Sequence, residues 1–164
     1  MSWIVFVKFL HIVAAMVMIG GGFARQVVRG VAKKSDNIQQ AAFLTQAAGR
    51  IDRLMVIPGS DLVIIFGIIL ALVLKQPILG FLQGSSRNWL LVANLLVIGI
   101  LLVVFTIFVP YNRKLEPIIQ SALAEGRVTP ELRVAPDDKI VKWGHHFEEA
   151  AGIVIVALMV FKPF

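Results

Sequence analysis

The sequence predicts an all-α integral membrane protein, a four-helix bundle with short helices in two of its connections. Three observations carry this. Of the 164 residues, 58% are hydrophobic, about two-thirds once the 13 glycines are added, and only 16% are charged; a soluble domain has about half, glycine included, and about a quarter, and could not cover its surface with so few charges. Four apolar runs are long enough to cross a hydrocarbon core about 30 Å thick, which takes about 20 helical residues. The basic residues, which give a net charge of +6, cluster in two connections between those runs. A soluble enzyme, a disordered chain and a fibrous one are excluded on the same grounds, and a mean hydropathy of +0.84 agrees.

The spans cover residues 4–28, 54–74, 89–109 and 141–161 of one transmembrane domain, residues 1–164. The third is the cleanest, with Asn94 and Thr106 its only polar residues, whereas the fourth is apolar only from Ala150 onward. The first resembles a signal peptide in hydrophobicity. It lacks a basic leading region and three more runs follow it, so it reads as retained.

Counting Lys and Arg by side sets the orientation. One connection holds Arg25, Arg29, Lys33, Lys34, Arg50 and Arg53; another holds Arg113, Lys114, Arg127, Arg133, Lys139 and Lys142. The opposite side has only Lys8, Lys75, Arg87 and Lys162. Both termini are therefore expected outside, with both long loops in the cytoplasm of a bacterial cell, the chain crossing the inner membrane several times. Trp3, Trp89 and Phe161 then mark the outer interface, and Tyr111 and Trp143 the inner one. This topology explains the basic excess without nucleic acid. The absence of cysteine excludes disulfides, iron–sulfur clusters, thiolate zinc sites and CxxCH haem attachment.

In the first cytoplasmic connection, Ser35 or Asp36 is expected to cap a helix with Ile38, Ala41, Ala42, Ala48, Ile51 and Met55 on one face. That helix should run into span two through a kink at Pro58-Gly59. In the second connection, Glu116-Pro117 should start a short helix that Gly126 ends, with turns or caps at Thr129-Pro130 and Pro136-Asp137. No internal repeat is visible.

An ionisable group in a span is costly and normally faces protein. In span one, His11, Ala15, Met18, Gly22 and Arg25 fall on one stripe, and its small residues, with Gly20 and Gly21, favour close helix packing. His11 sits about 12 Å below Trp3, where its imidazole needs a partner. Asn94, at a similar depth on span three, could hydrogen-bond to it; a haem or metal ligand is the sharper reading. Near the cytoplasmic side lies a second cluster, Arg25, Asp52, Arg53, Asp61, His145, His146, Glu148 and Glu149, of which Arg25, Asp61, His145, His146, Glu148 and Glu149, together with Asn94, are expected to be buried. Arg25 would pair with Glu148 or Glu149, with Asp61 as competitor or as the cap of span two. The cluster reads first as structural ion pairing and second as a proton or ion path. His145 and His146 lie about 22 Å below the outer boundary, so their mismatch of about 10 Å with His11 disfavours one bis-His haem. Haem b held by His11 alone, or by His11 and Met18, stays open.

The segment from Lys8 through His11 and Met18 to Gly21, followed by Arg25, resembles the first helix of a group of small bacterial membrane proteins. The group comprises an uncharacterised family of predicted integral membrane proteins (domain-of-unknown-function family 2269), the copper-resistance protein D family and the HemJ-type protoporphyrinogen oxidases. Four spans and this length suit the uncharacterised family, over essentially the whole chain. The resemblance implies a haem or metal role for His11 and, by its match, for Arg25. Met18 stands where the relatives carry Trp, and Ala93 and Asn94 stand near where HemJ-type enzymes carry a Lys.

The leading reading is a structural or accessory subunit, or a small b-type-cytochrome-like module, in a larger membrane complex or a homo-oligomer. A metal-ion or proton permease of copper-resistance D type is the alternative, although copper sites favour Met and Cys. A HemJ-like oxidase is the third. Soluble chemistries have no fingerprint, since GxGxxG, P-loop, GxSxG and HExxH patterns are all missing.

Overall fold

The computed structural model describes residues 2–134 and 138–163, and among these every regular element is helical. The chain divides into two compact units, Met1–Lys75 with Gly126–Val128, and Gln76–Glu125 with Thr129–Phe164. Four helical stretches are long and apolar enough to cross a membrane: Trp3–Lys34, Ile38–Val73, Trp89–Glu125 and Lys139–Phe161.

The first unit contains α1 (Trp3–Lys34), α2 (Ile38–Ile51) and α3 (Ile57–Val73), with a π turn over Asp52–Val56. Ser35 closes α1, its amide bonding to the Ala32 carbonyl. The cap of α2 is Asn37 rather than Ser35 or Asp36. Its side chain accepts the Gln39 and Gln40 amides at 2.9 and 3.2 Å, while the Ser35 hydroxyl is used on the Asn37 carbonyl. The expected apolar face of α2 is present, with Ile38, Ala41, Ala42 and Ala48 buried.

From Ile38 to Val73 the helix runs on for 36 residues, about 54 Å. The widened turn sits just before the Pro58-Gly59 position where the sequence suggests a kink. Ile57 N–H reaches back five residues to the Asp52 carbonyl, which gives the Pro58 ring room against the preceding turn.

α1 and α3 pack antiparallel on small residues. A Cβ at Gly21 would meet Met55 Cβ at 2.8 Å and one at Gly59 would meet Met18 backbone N at 3.0 Å, while one at Gly67 would lie 3.3 Å from His11 Cε1. The buried positions of α1 are Ala14, Gly21 and Arg25. Of the predicted stripe, His11, Met18 and Arg25 are in the contact, while Ala14 and Gly21 are buried in place of Ala15 and Gly22, Gly21 being the close approach to Met55 and Val56.

The second unit contains α4 (Trp89–Val103), α5 (Val109–Glu125), α6 (Pro130–Val134) and α7 (Lys139–Phe161). A second π turn, Val104–Phe108, joins α4 to α5. It again precedes a proline by two residues, here Pro110, and Val109 N–H reaches the Val104 carbonyl. No new helix starts at Glu116-Pro117: Pro117 lies inside α5. Gly126, at φ +68°, follows the end of α5 as expected. Thr129 Oγ1 accepts the Leu132 amide, and Asp138 caps α7 through the Ile140 and Val141 amides. The expected turn at Pro136-Asp137 lies outside the described residues. α7 packs on α4 around Val103, Phe108 and Val141, with Tyr111 and Phe147 against them.

Candidate functional site

Charge concentrates at one end of the first unit. Arg25 Nη1 donates to Asp52 Oδ1 at 2.8 Å and Arg29 Nη2 to Asp52 Oδ2 at 3.2 Å. One carboxylate therefore receives two guanidiniums from successive turns of α1, and Arg25 is only 6% exposed. The π turn begins at Asp52 and aims it across the helix pair. Sequence reading placed Asp52 in the cluster and gave Arg25 other partners; the pair across 27 residues depends on a turn that periodicity does not reveal. A buried guanidinium without its carboxylate would be strongly unfavourable, so this contact fixes α1 against α2.

Asp61 is exposed on the second turn of α3. The helix is unbroken there, so Asp61 neither caps an N-terminus nor competes for Arg25. On insertion scales an unpaired Asp at the centre of a span costs about 3 kcal/mol. Arg53 is also exposed. In the second unit, His145 Nδ1 lies 3.6 Å from Glu148 Oε2 and His146 Nδ1 lies 3.9 Å from Glu149 Oε2, each pair one turn apart on α7. His145 is half-buried and stacks on Phe108 of the second π turn, with ring centroids 4.4 Å apart. His146 is 82% exposed, so the predicted buried cluster does not hold for it or for Asp61.

His11 lies on α1 over Gly67, with the Val63 backbone beside its ring. Its Nδ1 is buried and makes no hydrogen bond of ordinary geometry. Asn94, expected to meet it, donates to the Ile78 carbonyl at 3.2 Å and holds the loop before α4. Met18 backs onto Gly59. Because α1 is continuous through both residues, His11 and Met18 stand about 10 Å apart along one axis. A haem between them would have to cut through the helix, so Met18 does not complete a haem site on His11. Among the described residues, no three His, Asp or Glu side chains gather where they could hold one metal ion.

Four long apolar helices, with charge sealed between two of them, define a multi-pass integral membrane protein. The chain belongs to the family described as Predicted integral membrane protein (DUF2269), which matches residues 5–163. No curated protein and no solved structure matches it.

Proposed function

We propose that the protein is a structural or accessory subunit of the bacterial inner membrane, with both termini outside, its four spans forming one transmembrane domain. The observation that carries this reading is the Arg25–Asp52–Arg29 contact. The most buried charge of the first unit is consumed in fixing helices to each other, which supports a scaffold over an ion path. The excess of Lys and Arg in two connections supports the orientation. Gentle extraction from native membranes followed by mass spectrometry tests it: specific co-eluting membrane proteins are expected. A chain that elutes free of other proteins, yet moves protons or copper into liposomes, would favour the permease and sink the subunit.

His11 favours a second reading, a small haem-binding module. The His11 ring lies against α3 beside Val63 and Gly67, its Nδ1 making no hydrogen bond of ordinary geometry, and as an axial ligand His11 would be the one residue of this chain at the iron. Haem would there supply one-electron chemistry, with Gly67 leaving room for the imidazole. A stoichiometric Soret band that His11→Ala abolishes would support this; colourless protein from haem-replete cells would remove it. The HemJ-like oxidase rests on His11 and Arg25 alone, and failure to rescue cells lacking protoporphyrinogen oxidase would dispose of it.

A further inference from the structure

The loop leading into α4 belongs with α4 and α7 in the second unit. It is apolar over Pro77-Ile78-Leu79-Gly80-Phe81-Leu82 and polar from Gln83 to Asn88, with a 3₁₀ turn at Gly80–Gln83. Gly80 has φ +52°, and Asn88 Oδ1 fills the space a Cβ would need there. Every carbonyl from Pro77 to Phe81 accepts a hydrogen bond. The Leu79 amide donates to Gln83 Oε1 at 3.0 Å and the Phe81 amide to Asn88 Oδ1 at 2.7 Å. The amides of Gly80 and Leu82 donate to the Pro77 and Leu79 carbonyls. Irregular backbone is kept out of lipid because unsatisfied N–H and C=O groups are costly there, and this stretch has satisfied its own.

Asn94 sets the depth of the loop. It lies five residues beyond Trp89, about 7.5 Å along the α4 axis, and its Nδ2 donates to the Ile78 carbonyl at 3.2 Å. The loop thus folds back beside the first turns of α4. Trp89, expected to mark the interface, is only 6% exposed, with Lys162 Nζ 5.5 Å from its ring centroid. Leu79, Phe81 and Leu82 are left uncovered by their own unit. All these contacts lie within the second unit, so the depth of the loop does not depend on where the first unit stands.

We propose that residues 77–82 re-enter the bilayer and lie in the boundary layer of the leaflet nearest the start of α4. Asn94 holds them at that depth, and Leu79, Phe81 and Leu82 pack among lipid acyl chains. Lipid is the occupant because α4 crosses the bilayer, and a segment tied to its second turn lies below the level of its first residue. Large apolar side chains are favourable at the boundary between headgroups and acyl chains. The polar residues 83–88 stay among the headgroups. The loop anchors this end of the unit in place of Trp89, which is turned into protein. This anchoring is separate from the subunit reading and from haem binding, and either could fail without it.

The chain has no cysteine, so a single cysteine reports its surroundings without background. Full-length Leu82→Cys and Ser86→Cys would be reconstituted in phosphatidylcholine–phosphatidylglycerol vesicles and challenged with a membrane-impermeant maleimide. In parallel, Leu82→Cys carrying a bimane label would be exposed to lipids with a doxyl group near the headgroup end of the acyl chain, and to aqueous iodide. Leu82→Cys should react at least tenfold more slowly than Ser86→Cys, and its bimane should be quenched by doxyl lipid and not by iodide. Adding Asn94→Leu should raise the Leu82→Cys rate several-fold, with unchanged helical circular dichroism showing that the variant folds. Equal maleimide rates at the two positions would overturn the proposal. So would a Leu82 position hidden from maleimide and doxyl lipid alike, which would mean that protein covers it, or a rate that Asn94→Leu leaves unmoved.

Discussion

The two units carry the same backbone device and secure it with different chemistry. Each has a long helix that widens into a π turn two residues before a proline, at Asp52–Val56 before Pro58 and at Val104–Phe108 before Pro110. In the first unit the turn offers a carboxylate, and two arginines of α1 close on it. In the second it offers Phe108, which lies over Gly144 and stacks on His145 of α7. An ion pair near the membrane boundary is directional and severe when half of it is lost. A ring on a glycine is short-ranged and forgiving. The proline thus sets where the helix widens, and the residues within the turn set how firmly its neighbour is held.

The largest effect should come from Asp52→Ala, which leaves Arg25 buried without its carboxylate. About 3 kcal/mol or more of destabilisation is expected, read as an earlier midpoint in denaturant titration of the detergent-solubilised protein. An unchanged midpoint would mean that the ion pair is not what holds α1. Next comes Gly59→Val, whose Cβ would press on the Met18 backbone at 3.0 Å; overpacking against backbone should cost about 2 kcal/mol. The counterpart in the second unit, Gly144→Ala, meets the Phe108 ring at 2.9 Å. That ring can turn aside, so about 1 kcal/mol is expected, and a loss equal to that of Gly59→Val would erase the contrast between the units. Removing the caps with Asn37→Ala and Asp138→Ala should cost about 1 kcal/mol each, measured the same way. Smallest of all, Gly20→Ala should raise the midpoint slightly, by about 0.5 kcal/mol, since nothing lies within 4 Å of its new Cβ and alanine is the better helix former.

Much of this architecture is legible in the residues. The four apolar runs, the packed face Ile38–Ala41–Ala42–Ala48 and the stop at Gly126 follow from length, periodicity and backbone freedom. Proline misled where it stands inside an unbroken helix. Pro117 reads as a helix start, yet the helix continues through it, against the roughly 3 kcal/mol that a proline inside a helix costs. The partner of Arg25 was illegible for a related reason: the π turn rotates Asp52 away from where a regular helix would aim it. The sidedness of Asp61 and His146 was hidden as well. α3 is apolar nearly all round, so its sequence does not mark which face meets protein, and the rule that charges turn inward put both residues in a buried cluster, whereas both are exposed. His11 was legible as a polar group in a span, but its neighbours Val63 and Gly67 belong to another helix and only the fold supplies them.

The helices on either side of the first hairpin, 32 and 36 residues long, outrun the bilayer by well over a dozen ångströms. A rod that continues unbroken out of the lipid works as a lever. Any change in tilt imposed by membrane thickness or by a neighbour must swing its protruding end, and α1 and α2, clamped together at Asp52, would swing as one arm.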